Sequence, residues 1–289
     1  MNPPASKYED LTRVIHDEYD RLSRSHQRVA LFVTQNPNDI AVQSVSALAE
    51  KCGVHASSFV RFAQQLGYTG FKDLQSVFRT RLATAAPGFE ARIEALKADL
   101  AAHRHTGALG YLEDLVVRDI ASLEDLLENT SEEDMETAID LLEQADTIYL
   151  IGQLRSEPIV ELLRYILTML GQRTVLLDQC GGLATHVAKS IQPADVLLAV
   201  SFRFYATEAV NITEQAASRG IPIIAISDST LSPLAKSATV LFAIPEHEYT
   251  FSRSLAAPMC LAQALMIGLA AKLQTSDGSE PRIPVVTQK

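Results

Sequence analysis

The chain has 289 residues, 47% hydrophobic and 21% charged, with a formal net charge of −10. That is ordinary globular usage, so whole-chain disorder, collagen-like repeats and coiled-coil rods are excluded. At about 150 residues per domain the length predicts about two domains, and the acidic balance excludes a protein that coats nucleic acid over its whole surface.

The charge is unevenly placed. Residues 21–82 hold eight Lys and Arg (Arg21, Arg24, Arg28, Lys51, Arg61, Lys72, Arg79, Arg81) against three acids, whereas residues 83–289 hold 15 against 27. A small basic module therefore stands before a large acidic body, which points to a nucleic-acid contact near the N-terminus. The three cysteines, Cys52, Cys180 and Cys260, form no CxxC pair and have no metal-ligand spacing. Together with an N-terminus lacking an apolar signal core, they predict a reduced, cytoplasmic setting without metal or cofactor. The longest uncharged stretch, from Ser254 to Ala271, is Ala-rich and interrupted by Pro258, Gln263 and Gly268. It predicts a buried or subunit-interface helix rather than a membrane span.

In chain order, residues 1–82 read as short helices joined by tight turns. The most specific local signal lies between Ser44 and Gly67. Ser44 caps a helix through Lys51, Cys52-Gly53-Val54 makes a sharp turn, and His55 opens a second helix through Phe62. Ala49, Gly53, Val54 and Val60 fall where a helix-turn-helix needs a small residue, a turn glycine and core contacts. In that motif the second helix enters the major groove, which would expose Ser57, Ser58 and Arg61 to base edges and phosphates. A helical hairpin that merely packs is the blander alternative, and the basic charge argues against it.

Residues 83–127 read as a helical linker after a Pro87-Gly88 break. A capping box at Thr130 and Glu133 is expected to start the next helix, to about Gln144. Beyond it, short continuous apolar runs alternate with amphipathic segments. The runs are Thr147–Ile151, Thr174–Leu177, Asp195–Val200, Ile221–Ile226 and Val240–Ile244; the segments are Glu157–Leu170, Gly182–Ser190 and Thr207–Arg219. Continuous runs mean strands buried on both faces, so the order predicts a doubly wound, five-stranded parallel sheet. Ligands of such sheets bind at the carboxyl ends of the strands. Three polar loops are expected there: residues 152–156, residues 201–208 and residues 227–230. Their hydroxyls and N–H groups suit an anion.

Gly53-Val54, Phe59-Val60-Arg61-Phe62, Leu66-Gly67-Tyr68 and Gly70-Phe71-Lys72 resemble the helix-turn-helix of RpiR-type bacterial regulators. Ser25-His26-Gln27-Arg28-Val29-Ala30 and Asn36-Pro37 resemble it too. The strand before Ser201, Gly220-Ile221-Pro222, Ile226-Ser227-Asp228 and Ser232-Pro233-Leu234-Ala235 resemble a sugar isomerase (SIS) domain, the usual partner of that module. The resemblance implies an all-α helix-turn-helix domain (1–82), a helical linker (83–127) and an α/β SIS effector domain (128–289). It implies a regulator that binds a double-stranded DNA operator and senses a small anionic metabolite, a sugar phosphate or sugar acid. A homodimer or homotetramer is expected, because such motifs read two-fold sites.

The expected DNA contacts are Ser44, His55, Ser57, Ser58, Arg61 and Lys72. The expected effector contacts are Gly152, Arg155, Ser156, Ser201, Arg203, Tyr205, Thr207 and Arg253. There are departures from the family pattern. His55 stands where the family carries Ser or Thr, and Ala47 and Ala56 where it carries acids. Leu154 replaces the second glycine of a GxGxS loop, and Arg203-Phe204 replaces a Ser-Gly pair. Gained arginines suit carboxylate or phosphate; the competing reading ties them to acids such as Glu157 or Glu208.

SIS folds also occur in aldose–ketose isomerases, so the alternative is a sugar-phosphate isomerase with an accessory helical module. Such chemistry needs a positioned base, for which Glu157, His186, Glu208 and His247 come into question. Each has a structural explanation, and no nucleophilic triad, Walker loop or full GxGxxG stands in the sequence. The expectation is a protein without catalytic residues.

Overall fold

The computed structural model describes residues 4–83, 97, 107–177, 180–203, 205–244 and 253–276. The Pro87-Gly88 break, most of the first half of the linker, Phe204 and the Glu246-His247-Glu248 group lie outside the described residues.

Six helices make the N-terminal head: α1 (Tyr8–Glu18), α2 (Arg24–Gln35), α3 (Pro37–Val42), α4 (Val45–Cys52), α5 (Ala56–Gln65) and α6 (Phe71–Ala83). Their common core contains Leu11, Ile15, Ile40, Leu48, Phe59, Phe62, Leu74 and Phe78. The aromatic contacts are edge-on, as ring quadrupoles favour: Phe59 meets Phe32 at 6.0 Å and Phe71 at 5.6 Å. Ser44 starts α4 by accepting from the Ala47 N–H at 3.3 Å. Gly53 ends it with φ +67, and its N–H reaches the Ala49 and Glu50 carbonyls. The turn thus has the left-handed cap that glycine supplies.

Two helices lead into the second module, α7 (Gly107–Asn129) and α8 (Glu132–Gln144). The cap of α8 falls one residue later than the sequence pattern suggests. Ser131, not Thr130, accepts from the Asp134 N–H, at 3.0 Å. Thr130 instead donates to the Leu126 carbonyl at 2.7 Å, closing the end of α7. Two adjacent hydroxyls serve two helix ends, and spacing alone did not divide the work.

The sheet follows, with β1 (Ile148–Gly152), β2 (Thr174–Leu176), β3 (Val196–Val200), β4 (Ile223–Ser227) and β5 (Val240–Ala243). All pairings are parallel and the order is β2-β1-β3-β4-β5. The predicted strands are present, with ends shifted by a residue or two. Every residue of β1, β3 and β4 is buried. Alternate side chains feed two cores. Leu150, Leu198, Val200 and Ile224 face α8, α9 (Glu157–Met169) and the last helix, α12 (Ala256–Ser276). Ile151, Leu197, Ala199 and Ile223 face α11 (Thr207–Ser218) and the short α10 (Ala184–Val187). The predicted 182–190 helix is broken: α10 gives way to a 3-10 turn at Ala188–Ser190.

The last helix is long and apolar enough, by length and composition, to cross a membrane. Here Ala257, Leu261, Ala262, Leu265, Met266 and Leu269 join the sheet core. It begins at Ala256, so Arg253 precedes the helix rather than opening it, and Ser254 accepts from the Ala256 N–H at 3.0 Å.

Replacing Gly53 by alanine would force a Cβ into left-handed backbone and to 3.1 Å from the Arg28 guanidinium. We expect Gly53→Ala to destabilise the chain by about 1–2 kcal/mol, measurable as a lower denaturant midpoint with an unchanged slope.

Candidate functional site

In the head, helix α5 buries Phe59, Phe62 and Ala63 and turns the opposite face outward. Ser57 and Arg61 are exposed and Ser58 is partly exposed. His55 and Lys72 are exposed as well. Ser44 is exposed while its hydroxyl caps α4. His55 makes no side-chain cap, so α5 starts without the hydroxyl acceptor that Ser44 gives α4. Sequence reasoning missed Gln64, exposed one turn beyond Arg61 and able to offer an amide to a base edge. Helical spacing from Ser57 and Arg61 was the signal that would have found it. Neighbouring basic groups are partly engaged. Lys51 pairs with Asp39 at 2.9 Å, and Arg28 reaches the Cys52 carbonyl at 3.5 Å.

In the second module the strand order reverses at β1 and β3, which places a crevice outside their carboxyl ends. Gly152 is paired in register with Val200, so the loops after these two strands start side by side. Gly152 itself has a packing cause. A Cβ there would lie 2.7 Å from the Val160 Cγ1 and 3.1 Å from the Ser156 carbonyl oxygen. Leu154 holds φ 58, the left-handed region that favours glycine. The loop therefore keeps a glycine's backbone without a glycine.

Ser156 and Ser201 are buried, at 2% and 4% exposure, and Thr207 opens α11. The Ser201 carbonyl accepts from Ser227 Oγ at 2.7 Å, joining the β3 and β4 loops. Tyr205 donates its hydroxyl to Asp228 Oδ1 at 2.8 Å. Burial, with Asp228 nearby, holds that phenol well above the ordinary tyrosine range. Asp228 was not singled out as a site residue, although its loop was; only the fold shows that it faces Tyr205.

The arginines do more than hang in solvent. Arg155 lies over the Phe202 ring, 4.8 Å from its centroid, and donates toward the Arg253 and Ser254 carbonyls at 3.4 Å. That ties the β1 loop, the β3 loop and the approach to α12 together. Arg203 is 8% exposed and donates to Thr12 Oγ1 of α1 at 2.8 Å. Burial lowers its pKa to about 10; Asp228 opposes the fall and Arg253 adds to it. Arg203 thus lies within electrostatic reach of both Asp228 and Arg253, and Arg155 holds the main chain of Arg253.

Three of the four candidate bases are described, and they are otherwise employed or exposed; His247 lies outside the described residues. Glu208 accepts from Gln153 Nε2 and from Thr185 Oγ1, each at 2.8 Å, so both its oxygens hold loops together. Glu157 and His186 are exposed. Among the described residues no group of His, Cys, Asp or Glu could hold a metal ion.

The helix-turn-helix domain of the rpiR family matches residues 9–85, and the SIS domain matches residues 141–268. The chain is an RpiR-type protein. It is 28% identical over 257 residues to the HTH-type transcriptional regulator YfhH of Escherichia coli, covering 88% of each chain. It is 24% identical over 246 residues to the regulator HexR of Pseudomonas aeruginosa, covering 83% of this chain and 81% of HexR. The solved structure of Vibrio vulnificus NanR with ManNAc-6P shares the fold, with a TM-score of 0.55 at 19% identity, over 92% of this chain and 94% of NanR. The RpiR-type chain is a transcriptional regulator with a helix-turn-helix and a SIS domain.

Left-handed backbone costs a residue with a Cβ about 1–2 kcal/mol. We expect Leu154→Gly to raise stability, net of glycine's greater unfolded-state entropy, by up to about 1 kcal/mol, read as a higher midpoint in chemical denaturation.

Proposed function

We propose that this RpiR-type regulator reads operator DNA with α5 and adjusts that reading to a small anionic sugar derivative bound outside β1 and β3. The observation that carries the reading is the outward face of α5, with Arg61 exposed on a helix whose other side is locked into the core. The proposed DNA contacts are Ser44, His55, Ser57, Ser58, Arg61 and Lys72, with Gln64 added. The proposed effector contacts are Gly152, Arg155, Ser156, Ser201, Arg203, Tyr205, Thr207 and Arg253, with Asp228 added. Three of these have structural duties as well: Gly152 packs on Val160, Arg155 on Phe202, and Arg203 on Thr12.

Guanidinium groups on the loops after β1 and β3, Arg155 and Arg203, support a sugar phosphate or sugar acid. NanR, whose fold is shared, was solved with ManNAc-6P. The engagement of both Glu208 oxygens supports a binding role over isomerisation. We propose the division 1–82 for the reading head, 83–127 for the helical linker and 128–289 for the effector domain, in a cytoplasmic protein.

Self-association is proposed through α7 rather than through the last helix alone. Leu109, Leu112, Val116 and Ile120 repeat along α7 and are each about half exposed or more. Ile267 of α12 is exposed at 71%. Apolar rows of this length on a soluble surface mark an interaction face, and a two-fold operator calls for a second copy.

The tests are direct. Arg61→Ala should weaken operator binding about 10- to 100-fold, with relaxed sequence preference. Lys72→Ala should weaken binding to all sequences and reduce the salt slope by about one. Binding unchanged by Arg61→Ala would refute the assignment of α5. Sedimentation should show Leu112→Lys with Val116→Lys shifting the protein to a smaller species.

A further inference from the structure

The loop after β3 has two sides. One side carries Ser201 and Tyr205 at the carboxyl end of the sheet. The other is gripped by the head. Arg81, at the end of α6, is 5% exposed and donates to the Tyr205 carbonyl at 2.8 Å and to Asn38 Oδ1 at 3.0 Å. Its guanidinium lies 4.8 Å from the centroid of Tyr8 in α1. Arg203 crosses in the opposite direction, from the loop to Thr12 of α1. Two guanidinium groups are thus exchanged between head and loop, each reaching a neutral acceptor on the other side. A second row of contacts stands beside them. Asn38 donates to Asn211 of α11 at 3.4 Å, and Lys236 meets Glu214 at 2.9 Å and also Asn36 of the head.

A buried guanidinium is costly to leave without acceptors. Docking of α1 and α6 therefore stabilises this conformation of the loop, and the loop in turn stabilises the docked head through the Tyr205 carbonyl and Arg203. A charged acceptor binds a guanidinium about twice as strongly as a neutral hydroxyl does. An anion arriving on the sheet side competes with Thr12 for Arg203. The exposed face of α5 takes no part in the exchange, so docking sets the head's orientation without covering its reading surface.

We propose that Arg81 and Thr12 are positioning residues of the effector site, and that head docking and the conformation of the loop after β3 form a single equilibrium. The proposal rests on the effector reading above in placing the ligand at this loop. The linkage it describes is reciprocal: whatever orders or displaces the loop must bias the head by the same free energy.

Hydrogen exchange on the full-length, ligand-free chain tests it. Arg81→Ala should speed exchange about fivefold or more in two places together, residues 201–208 and residues 8–18, with β3 unchanged. Arg81→Lys, which keeps one cationic donor, should recover part of the protection in both. Faster exchange in only one of the two segments, or in neither, overturns the proposal. If Arg81→Ala also loosens β3, the milder Thr12→Val decides by the same paired criterion. Failure of every sugar phosphate and sugar acid to shift the melting temperature would sink the effector reading alone, because the exchange measurement uses no ligand.

Discussion

A parallel sheet covered on both faces leaves polar chain only one outlet, the ends of its strands. That constraint organises the whole second module. β1, β3 and β4 are buried from end to end because each side chain meets a helix layer. Ser156, Ser201, Ser227 and Asp228 are therefore gathered at the carboxyl edge, where hydroxyls can find partners. The reversal of strand order at β1 and β3 then opens the space between two of those loops. Site and core have one cause.

The head obeys a different rule. Small helices cannot bury much area each, so six of them share one aromatic-rich core. Phe59 and Phe62 commit one face of α5 to that core, which fixes by exclusion the face that remains outside. Arg61 gains its exposure from its neighbours' burial. Charge supplies the rest of the argument, since basic residues crowd into this segment while the body of the chain is acidic.

Local features were readable in advance for physical reasons. Unbroken runs such as the one ending at Val200 have a single structural solution, and Gly53 between two short amphipathic stretches announces a left-handed turn. The roles given to the loop serines came from family resemblance rather than from spacing. Contacts between distant segments left no trace in the sequence. Arg203 and Thr12 are separated by 191 positions and Arg81 and Tyr205 by 124, and neither pair has a periodicity to betray it. The acids first considered as partners of the arginines were near in sequence, and Glu208 turned out to serve Gln153 and Thr185. The cap of α8 shows the same limit on a small scale, because Thr130 and Ser131 are chemically interchangeable until the end of α7 claims one of them.

The tight fit of Gly152 against Val160 has a mechanical consequence. With no room for even a methyl group, the end of β1 is clamped directly on the first turns of α9. On the opposite wall the chain leaving β3 is seated on its own sheet through Phe202 and Tyr205 and on the head through Arg203 and the Tyr205 carbonyl, so that wall alone answers to both modules.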